Sequence, residues 1–183
     1  MKELSKELRE TLAKVGTSTL TGVLNRRGLK SMTLFDVRPV RDEQPPMVGI
    51  AYTMRFIPSR EDMDGPNSKN RSMIQPQAME ECPPGHVLMI DSRGDSRAAS
   101  AGDLYIGRLK ARGAAGIVTD GGCRDSDEMI LERIPVYQRG STRGIDPGRA
   151  VEPAGHTVTP RRELVEVHRV VETGHRHAMG DRR

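Results

Sequence analysis

The chain has 183 residues, a length that accommodates one domain with a substantial core but not two. A formal net charge of +4 and an aromatic content of 3% argue against a nucleic-acid partner, because neither a basic patch interleaved with aromatics nor a known binding module is visible. No apolar run approaches the roughly 20 residues that span a bilayer, and the N-terminus is not a signal peptide. Two cysteines are too few for a disulfide framework. A cytoplasmic protein without a membrane segment is therefore expected.

Two helices are predicted at the start of the chain. Apolar residues recur at helical spacing from Leu4 to Val15, and Gly16 follows them. The hydroxyl residues 17–19 can cap a second helix, which ends near Gly28. These helices are expected to pack on the surface of the domain, and a lid or an arm on a neighbouring subunit is the alternative.

A strand and a long loop follow. Residues 47–57 are rich in β-branched and aromatic side chains and predict a strand. Residues 59–74 are polar and include Gly65 and Pro66, so they predict a loop, and residues 76–81 predict a turn of helix. A loop of this length in a small domain is often functional.

The middle of the chain alternates between strands and helices. Short apolar segments predict strands at residues 86–91, 115–119 and 134–138. Helical patterns lie between them at residues 102–113 and 126–132. This order predicts an α/β fold in which a parallel sheet has helices packed against it.

The composition changes after residue 142. A linker rich in proline, glycine and arginine precedes residues 159–174, which predict a helix with Pro160 at its first position and valines on its apolar side. The chain is therefore predicted to comprise a domain at residues 1–142 and a linker, helix and tail at residues 143–183.

Polar residues follow two neighbouring strands of the predicted sheet. The strands end at Asp91 and Asp120, and the loops that leave them contain residues 102–103 and 124–125. Ligands in open α/β sheets bind at the carboxyl ends of the strands. We therefore expect the two loops to form one site.

Each loop carries groups suited to an anion or a metal ion. Gly102 opens a helix whose N–H groups and dipole favour an anion, and it lets a ligand approach the backbone. Arg124 offers a planar fork that matches a carboxylate, and Asp125 offers a hard oxygen for Mg²⁺ or Mn²⁺. The structural alternatives are a helix N-cap and a surface salt bridge. Cys123 is expected to be a small buried residue, since no base partner for a reactive thiol is evident.

The spacing of these residues is similar to that of a known family. The chain matches the D-x20-R-D-x2-E/D pattern of the RraA-like family. Asp103 is followed after twenty residues by the pair Arg124-Asp125, and after two more residues by Glu128. This family contains the class II 4-hydroxy-4-methyl-2-oxoglutarate aldolases and the regulators of ribonuclease activity A. The resemblance extends over residues 17–142, through segments such as VGIAYTMR, GHVLMIDSRGD and AAGIVTDGGCRD.

The resemblance implies a fold and a reaction. Members of the family are α/β/β sandwiches of the swivelling β/β/α type, which assemble as homotrimers or hexamers. The aldolases require a divalent metal cation, Mg²⁺ or Mn²⁺, cleave 4-hydroxy-2-oxo acids to pyruvate and a second keto acid, and decarboxylate oxaloacetate. The resemblance implies the same lyase activity for this chain, on a small keto-acid substrate.

The resemblance also implies roles for individual residues. The N–H groups that would hold the pyruvate carboxylate belong to Gly102, Asp103, Leu104 and Tyr105. Arg124 would bind and polarise the keto acid, Asp125 would hold the metal partly through its waters, and Asp103 would position a water for proton transfer.

The C-terminal part departs from the family pattern. Members continue after the last predicted strand with a β-rich segment, where this chain has an Arg-, Pro- and His-rich tail, and this difference bears on subunit packing. A non-catalytic regulator that binds and inhibits a ribonuclease is the alternative function. Such regulators often lack the full set of acids, so the enzyme is favoured by the intact Asp103, Arg124, Asp125 and Glu128. A methyltransferase is excluded because no Gly-x-Gly loop follows an early strand.

Overall fold

The computed structural model describes residues 4–56, 74–97, 99–141 and 166–167. The predicted loop at residues 59–74 therefore lies almost entirely outside them. None of the helices in the described ranges combines the length and the hydrophobicity that crossing a bilayer requires.

The first described elements are the two predicted helices. Helix α1 spans Lys6–Lys14 and helix α2 spans Thr17–Arg26. Arg9 anchors α1 to the domain, because its guanidinium donates hydrogen bonds to the backbone oxygens of Val48 (2.6 Å) and Gly85 (3.2 Å). Helix α1 is thus packed on the surface of the domain, as expected.

Three further helices and nine strands are present in the described residues. The helices are α3 (Ile74–Glu81), α4 (Asp103–Ala111) and α5 (Ser126–Leu131). The strands are β1 (Arg38–Pro39), β2 (Gly49–Arg55), β3 (His86–Asp91), β4 (Ala99–Ala101), β5 (Gly116–Thr119), β6 (Gly122–Cys123), β7 (Val136–Gln138), β8 (Gly140–Ser141) and β9 (Glu166–Val167). The alternating strands and helices predicted in the middle of the chain are all present, which confirms the α/β class.

The strands form a larger and a smaller sheet. The larger sheet has the order β1-β7-β5-β3-β2-β9, in which the four central strands are parallel and the edge strands β1 and β9 are antiparallel to their neighbours. The smaller sheet consists of β4, β6 and β8, which are all parallel. Each of β3, β5 and β7 is followed along the chain by a strand of the smaller sheet, so the chain visits both sheets before α4 and again before α5. This is the expected α/β/β arrangement.

Apolar side chains cover both faces of the larger sheet. On one face, Leu88 and Ile117 lie in a core shared with the buried sides of α3, α4 and α5. On the other face, Val87 and Val118 pack with Met47. Successive strand residues therefore enter opposite cores, which explains why β3 and β5 read as continuous apolar runs in the sequence.

A buried hydroxyl network joins the two sheets. Thr119 at the end of β5, Ser92 after β3 and Ser100 in β4 place their side-chain oxygens between 2.6 and 3.2 Å apart. The N–H of Gly121 donates to Thr119 Oγ1 (2.9 Å). A Cβ atom at Gly121 would lie 2.5 Å from Ser100 Oγ and 2.6 Å from Ser92 Cβ, so only glycine lets the strands approach this closely.

The prediction of a helix at residues 159–174 is wrong at the two residues described there. Glu166 and Val167 form β9, which pairs with β2 opposite Ile50 and Gly49. Val167, one of the valines that suggested a helical face, is β-branched and suits a strand, and the outer edge of β2 offers backbone partners for one. The rest of the predicted helix and tail lies outside the described residues.

Candidate functional site

The two loops predicted to form a site are held together by the smaller sheet. Strand β4 ends at Ala101 beside β6, and the N–H of Arg124 donates to the backbone oxygen of Ala101 (3.0 Å). Gly102 follows β4 directly, and Asp125 precedes α5. The starts of α4 and α5 therefore emerge from neighbouring strands.

Gly102 is in contact with Arg124 and Asp125, which we call the Arg-Asp pair. A Cβ atom at Gly102 would lie 3.0 Å from Arg124 Nε and 3.0 Å from Asp125 Oδ2. Gly102 has a φ of −134°, which any residue adopts, so glycine is needed here for the close approach and not for the backbone conformation. The expected meeting of the two loops is confirmed.

The Arg-Asp pair is an ion pair at the surface. Arg124 Nε lies 3.3 Å from Asp125 Oδ2, and 56% and 41% of the two side chains are exposed. Such an exposed pair contributes at most about 1 kcal/mol to stability. Asp125 has a φ of 57° and a ψ of 41°, a left-handed conformation that Asp adopts more readily than most other non-glycine residues. The ion pair and this conformation together therefore contribute little to stability.

The first turn of α4 presents backbone N–H groups beside the Arg-Asp pair. The N–H groups of Gly102, Asp103 and Leu104 precede the first hydrogen bond within the helix. The N–H of Tyr105 donates to the backbone oxygen of Gly102 (3.1 Å), so one of the four predicted carboxylate ligands already has a partner in the helix. Asp103 is partly exposed and Leu104 is 79% exposed.

Both structural alternatives raised for these loops are present. Gly102 is the N-cap of α4, and the Arg-Asp pair is a surface salt bridge. The structure adds that the two features touch, with Gly102 buried and the Arg-Asp pair exposed. Glu128, the last residue of the spaced pattern, is exposed on α5.

The two acids that end strands of the larger sheet organise the turn after β3. Asp120 accepts hydrogen bonds from the N–H groups of Ser92 (2.5 Å) and Gly94 (2.7 Å). Asp91 accepts from Arg55 Nε (2.6 Å). Both carboxylates therefore serve the local backbone and a strand neighbour, while the ligand-binding groups lie in the loops beyond them.

Sequence reasoning missed two residues that hold the end of β7 against neighbouring segments of the chain. Gln138 is buried, and its Oε1 accepts from the N–H of Cys123 (2.8 Å). Arg139 donates to the backbone oxygen of Gly94 (3.2 Å) and to Asp36 (3.1 Å). The available signal was a glutamine at the end of the apolar segment VYQ, because a polar residue on a buried strand needs specific partners.

Cys123 is a buried thiol and not a nucleophile. Its side chain is 0% exposed, and burial raises the pKa of this thiol to about 12. A thiolate is the reactive form of cysteine, and so high a pKa keeps Cys123 protonated at neutral pH. The expectation of a small buried residue is confirmed.

The groups at this position suit an ion that keeps most of its water. Among residues 4–56, 74–97 and 99–141, no cluster of three or more His, Cys, Asp or Glu side chains is placed to hold a metal. A closed site of the kind that zinc prefers is therefore not formed by these residues. Mg²⁺ is commonly held by one or two carboxylates together with waters and substrate oxygens, and the exposed carboxylate of Asp125 fits that role.

A family model described as "RraA-like: Aldolase/RraA" matches residues 17–174 of the chain. The match includes every site residue described above. It also includes β9, beyond residue 142, where the resemblance of the individual motifs ends.

One curated relative is similar over the central part of the chain. A protein of Halalkalibacterium halodurans named "Putative 4-hydroxy-4-methyl-2-oxoglutarate aldolase" is 42% identical over 115 residues. The alignment covers 63% of this chain and 49% of the relative, so the matched part spans about half the length of that protein.

Solved structures share the fold. Streptomyces coelicolor RraAS2, described as an unusual member of the RNase ES inhibitor RraA protein family, has a TM-score of 0.69 and 27% identity, over 86% of this chain and 71% of that one. A Geobacillus kaustophilus structure described as an S-adenosylmethionine: 2-dimethylmenaquinone methyltransferase has a TM-score of 0.56 and 22% identity, over 85% and 84% of the two chains. At this identity, the second likeness shows the fold alone.

Proposed function

The chain belongs to the RraA-like family, and on that premise we propose that it is a divalent-metal-dependent lyase, a class II pyruvate aldolase. It cleaves 4-hydroxy-2-oxo acids that bear a 4-carboxylate, giving pyruvate and a second keto acid, and it decarboxylates oxaloacetate. The name of the 42% identical relative supports this proposal. The observation that carries it is the contact of Gly102 with Arg124 and Asp125, which brings anion-binding N–H groups together with an exposed guanidinium and an exposed carboxylate.

The proposed substrate binds through its pyruvate half. The N–H groups of Gly102, Asp103 and Leu104 hold the carboxylate next to the 2-oxo group, at the positive end of α4. The planar guanidinium of Arg124 matches the carboxylate and the 2-oxo oxygen together. This arrangement fixes the carbonyl group beside which the carbon–carbon bond breaks.

The reaction breaks the bond between the third and fourth carbons of the substrate. In the aldol cleavage, the 4-hydroxyl loses its proton and becomes a carbonyl. The electron pair of the broken bond passes to the 2-oxo group as an enolate, and a proton added to the third carbon gives pyruvate. In oxaloacetate the fourth carbon leaves as CO₂, with the same movement of electrons. Arg124 stabilises the charge that develops on the 2-oxo oxygen, and Asp103 positions the water that exchanges the proton.

Asp125 would hold the divalent cation, Mg²⁺ or Mn²⁺. When bound, the ion supplies a Lewis acid for the oxygens of the keto acid. The exposed carboxylate of Asp125 lies beside Gly102 and Arg124, so an ion held there adjoins the groups assigned to the substrate.

The test measures pyruvate release from oxaloacetate by the purified protein, with Mg²⁺ or Mn²⁺ and with excess chelator. We expect turnover that chelator abolishes and that either metal restores. Because the free ions also promote decarboxylation, the blank contains the same metal without protein. A folded protein without metal-dependent turnover on any 4-carboxy-2-oxo acid would refute the proposal.

A second candidate function is a non-catalytic regulator that binds and inhibits a ribonuclease. It is favoured by the similarity to Streptomyces coelicolor RraAS2, whose family is described by RNase ES inhibition. Asp125→Ala separates the two functions, because it removes the proposed metal ligand at an exposed position. Capture of a ribonuclease that survives this substitution, in a protein without turnover, supports the regulator.

We also propose that the subunits assemble as homotrimers or hexamers in the cytoplasm. Leu104 on α4 and Leu131 on α5 are 79% and 75% exposed, and a subunit interface would cover such apolar side chains. Both cysteines are buried thiols, which suits a reducing compartment. Sedimentation equilibrium of the purified chain tests the assembly, and a monomer at micromolar concentration would contradict it.

A further inference from the structure

Gln138 is a buried amide at the end of β7, and both of its polar ends have partners. Its Oε1 accepts from the N–H of Cys123 (2.8 Å), and its Nε2 donates to Ser141 Oγ (3.0 Å). Because a backbone N–H can only donate, the atom that faces Cys123 is the amide oxygen, which fixes the orientation of the whole group. Gln138 therefore joins β7 to both β6 and β8.

The hydrogen-bonded chain continues to the far side of the Arg-Asp pair. Ser141 Oγ lies 3.1 Å from Ser126 Oγ. Since the nitrogen of Gln138 can only donate, Ser141 accepts there and has its own proton to donate to Ser126. Cys123 immediately precedes the Arg-Asp pair and Ser126 immediately follows it. One buried amide thus connects to the residues on both sides of the pair.

The bend between these two anchors needs support. Asp125 has a φ of 57°, in a left-handed region that is a minority conformation even for Asp, and both side chains of the Arg-Asp pair are substantially exposed. The anchors on Cys123 and Ser126 fix both ends of this two-residue bend. We infer that Gln138 is a positioning residue, which holds the Arg-Asp pair against Gly102. This inference rests on the function proposed for that pair.

The test compares Gln138→Met with the control Gln44→Met. Gln44 is a matched control because its amide also makes two hydrogen bonds at β7, with the N–H (2.7 Å) and the oxygen (2.8 Å) of Val136. Ser141→Ala, at an exposed position, removes only the link to Ser126 and keeps the test available should Gln138→Met not fold. The readouts are backbone amide exchange of residues 123–129, Tm, and kcat and KM for oxaloacetate.

In Gln138→Met we expect amide exchange in residues 123–129 to rise at least about tenfold, because the N–H of Cys123 loses its acceptor. We expect kcat to fall about 100-fold, the usual consequence of misplacing a reacting group by about 1 Å. KM rises by less than kcat falls, because the N–H groups of α4 still bind the carboxylate although Arg124 is displaced. Gln44→Met keeps the wild-type exchange in this segment and the wild-type kcat even if its Tm falls as far. Ser141→Ala changes exchange and kcat in the same direction as Gln138→Met, by less.

Unchanged exchange in residues 123–129 would overturn the inference. So would a kcat that stays within about twofold of the wild type in Gln138→Met, or one that falls equally in both glutamine variants. If Gln138→Met raises the local exchange but the wild-type protein itself has no turnover, the positioning role of Gln138 stands and the proposed function is refuted. The two failures are therefore distinguishable.

Discussion

The larger and the smaller sheet are held together by different interactions. In the larger sheet, Leu88 and Ile117 are completely buried among other apolar side chains. The smaller sheet has strands of two or three residues, and its contacts with the larger sheet depend on polar groups. Ser100, Thr119 and Gln138 are all buried, and each makes side-chain hydrogen bonds.

This difference separates stability from the geometry of the site. Apolar burial is not directional, whereas a hydrogen bond weakens steeply when its angle or distance changes. Both site loops leave the smaller sheet. We therefore expect substitutions of apolar residues in the larger sheet to lower stability without changing the chemistry, and substitutions of the polar residues that contact the smaller sheet to change the chemistry as well.

The largest effect on activity is expected from Arg124→Ala, at the candidate site. It removes the group assigned to the developing negative charge, so kcat for oxaloacetate falls about 100- to 1,000-fold. Stability changes little because the side chain is mostly exposed. The control is Arg108→Ala, which removes a similarly exposed arginine paired with Glu80 (2.6 Å). Equal losses of kcat in both variants would show that Arg124 has no specific role in the reaction.

Ile117→Ala tests whether the loss of apolar burial in the larger sheet lowers stability alone. The side chain is 0% exposed in the central strand β5, so its truncation lowers the free energy of unfolding by about 2–5 kcal/mol. Urea denaturation measures this loss. Below the lowered Tm, kcat and KM stay at wild-type values, and a fall in kcat without partial unfolding would break the proposed separation.

Thr119→Val tests the hydroxyl network at nearly constant volume. The substitution removes the acceptor of the Gly121 N–H and two contacts with serine hydroxyls, which costs about 1–3 kcal/mol of unfolding free energy. The double variant Thr119→Val/Ser100→Ala should lose less unfolding free energy than the sum of the two single losses, because both residues belong to one network. Strictly additive losses would show that the hydroxyls act independently.

Gly102→Ala sharpens the comparison at the site itself. The new Cβ would lie 3.0 Å from both side chains of the Arg-Asp pair, so Arg124 must shift by a few tenths of an ångström. We expect kcat/KM to fall about tenfold with an unchanged Tm. Gly107→Ala in the same helix is the control, since its Cβ would meet Glu132 at an ordinary 3.6 Å. That variant should keep its activity and gain up to about 1 kcal/mol of stability.

The smallest effect at neutral pH concerns the two cysteines, of which Cys82 follows α3 and Cys123 lies in β6. Burial raises the pKa of Cys82 and of Cys123 to about 12 each, whereas an exposed thiol titrates near about 8.5. The folded state therefore holds these protons more tightly, so the stabilisation is complete below about pH 8.5 and is lost as the pH rises toward 12. Urea midpoints between pH 8 and pH 11 should fall less steeply in Cys82→Ala/Cys123→Ala than in the wild type. Identical slopes would contradict buried thiols.

The four central strands of the larger sheet could be predicted from the sequence because they are apolar runs between turn residues. The strand predicted at residues 86–91 has the bounds observed for β3. The smaller sheet was expected only from the family resemblance, and its strands could not be located, because β4 and β6 are built from Ala, Ser, Gly and Cys, which carry no periodic apolar signal. Their pairing depends on partners that are distant in the sequence, and local propensity does not record such partners. The helix expected near Val167 failed for a related reason, because a strand partner in β2 decided its conformation.

The site was predictable in its location but not in its support. Arg124 and Asp125 could be placed near Gly102 because the carboxyl ends of parallel strands meet at one edge. The contribution of Gln138 could not be inferred, since a single polar residue in an apolar segment does not identify its hydrogen-bond partners. The roles assigned to Asp103 and to the metal ion remain predictions for the experiments above.

The pairing of β1 with β7 has a consequence for the synthesis of the protein. Arg38 in β1 lies opposite Gln138 in β7, and Gln44 binds Val136, 92 positions further along the chain. On the ribosome, this edge of the larger sheet stays open until β7 has emerged, roughly 5–20 seconds after β1 at typical elongation rates. The contact order contributed by this pairing also slows refolding of the full chain.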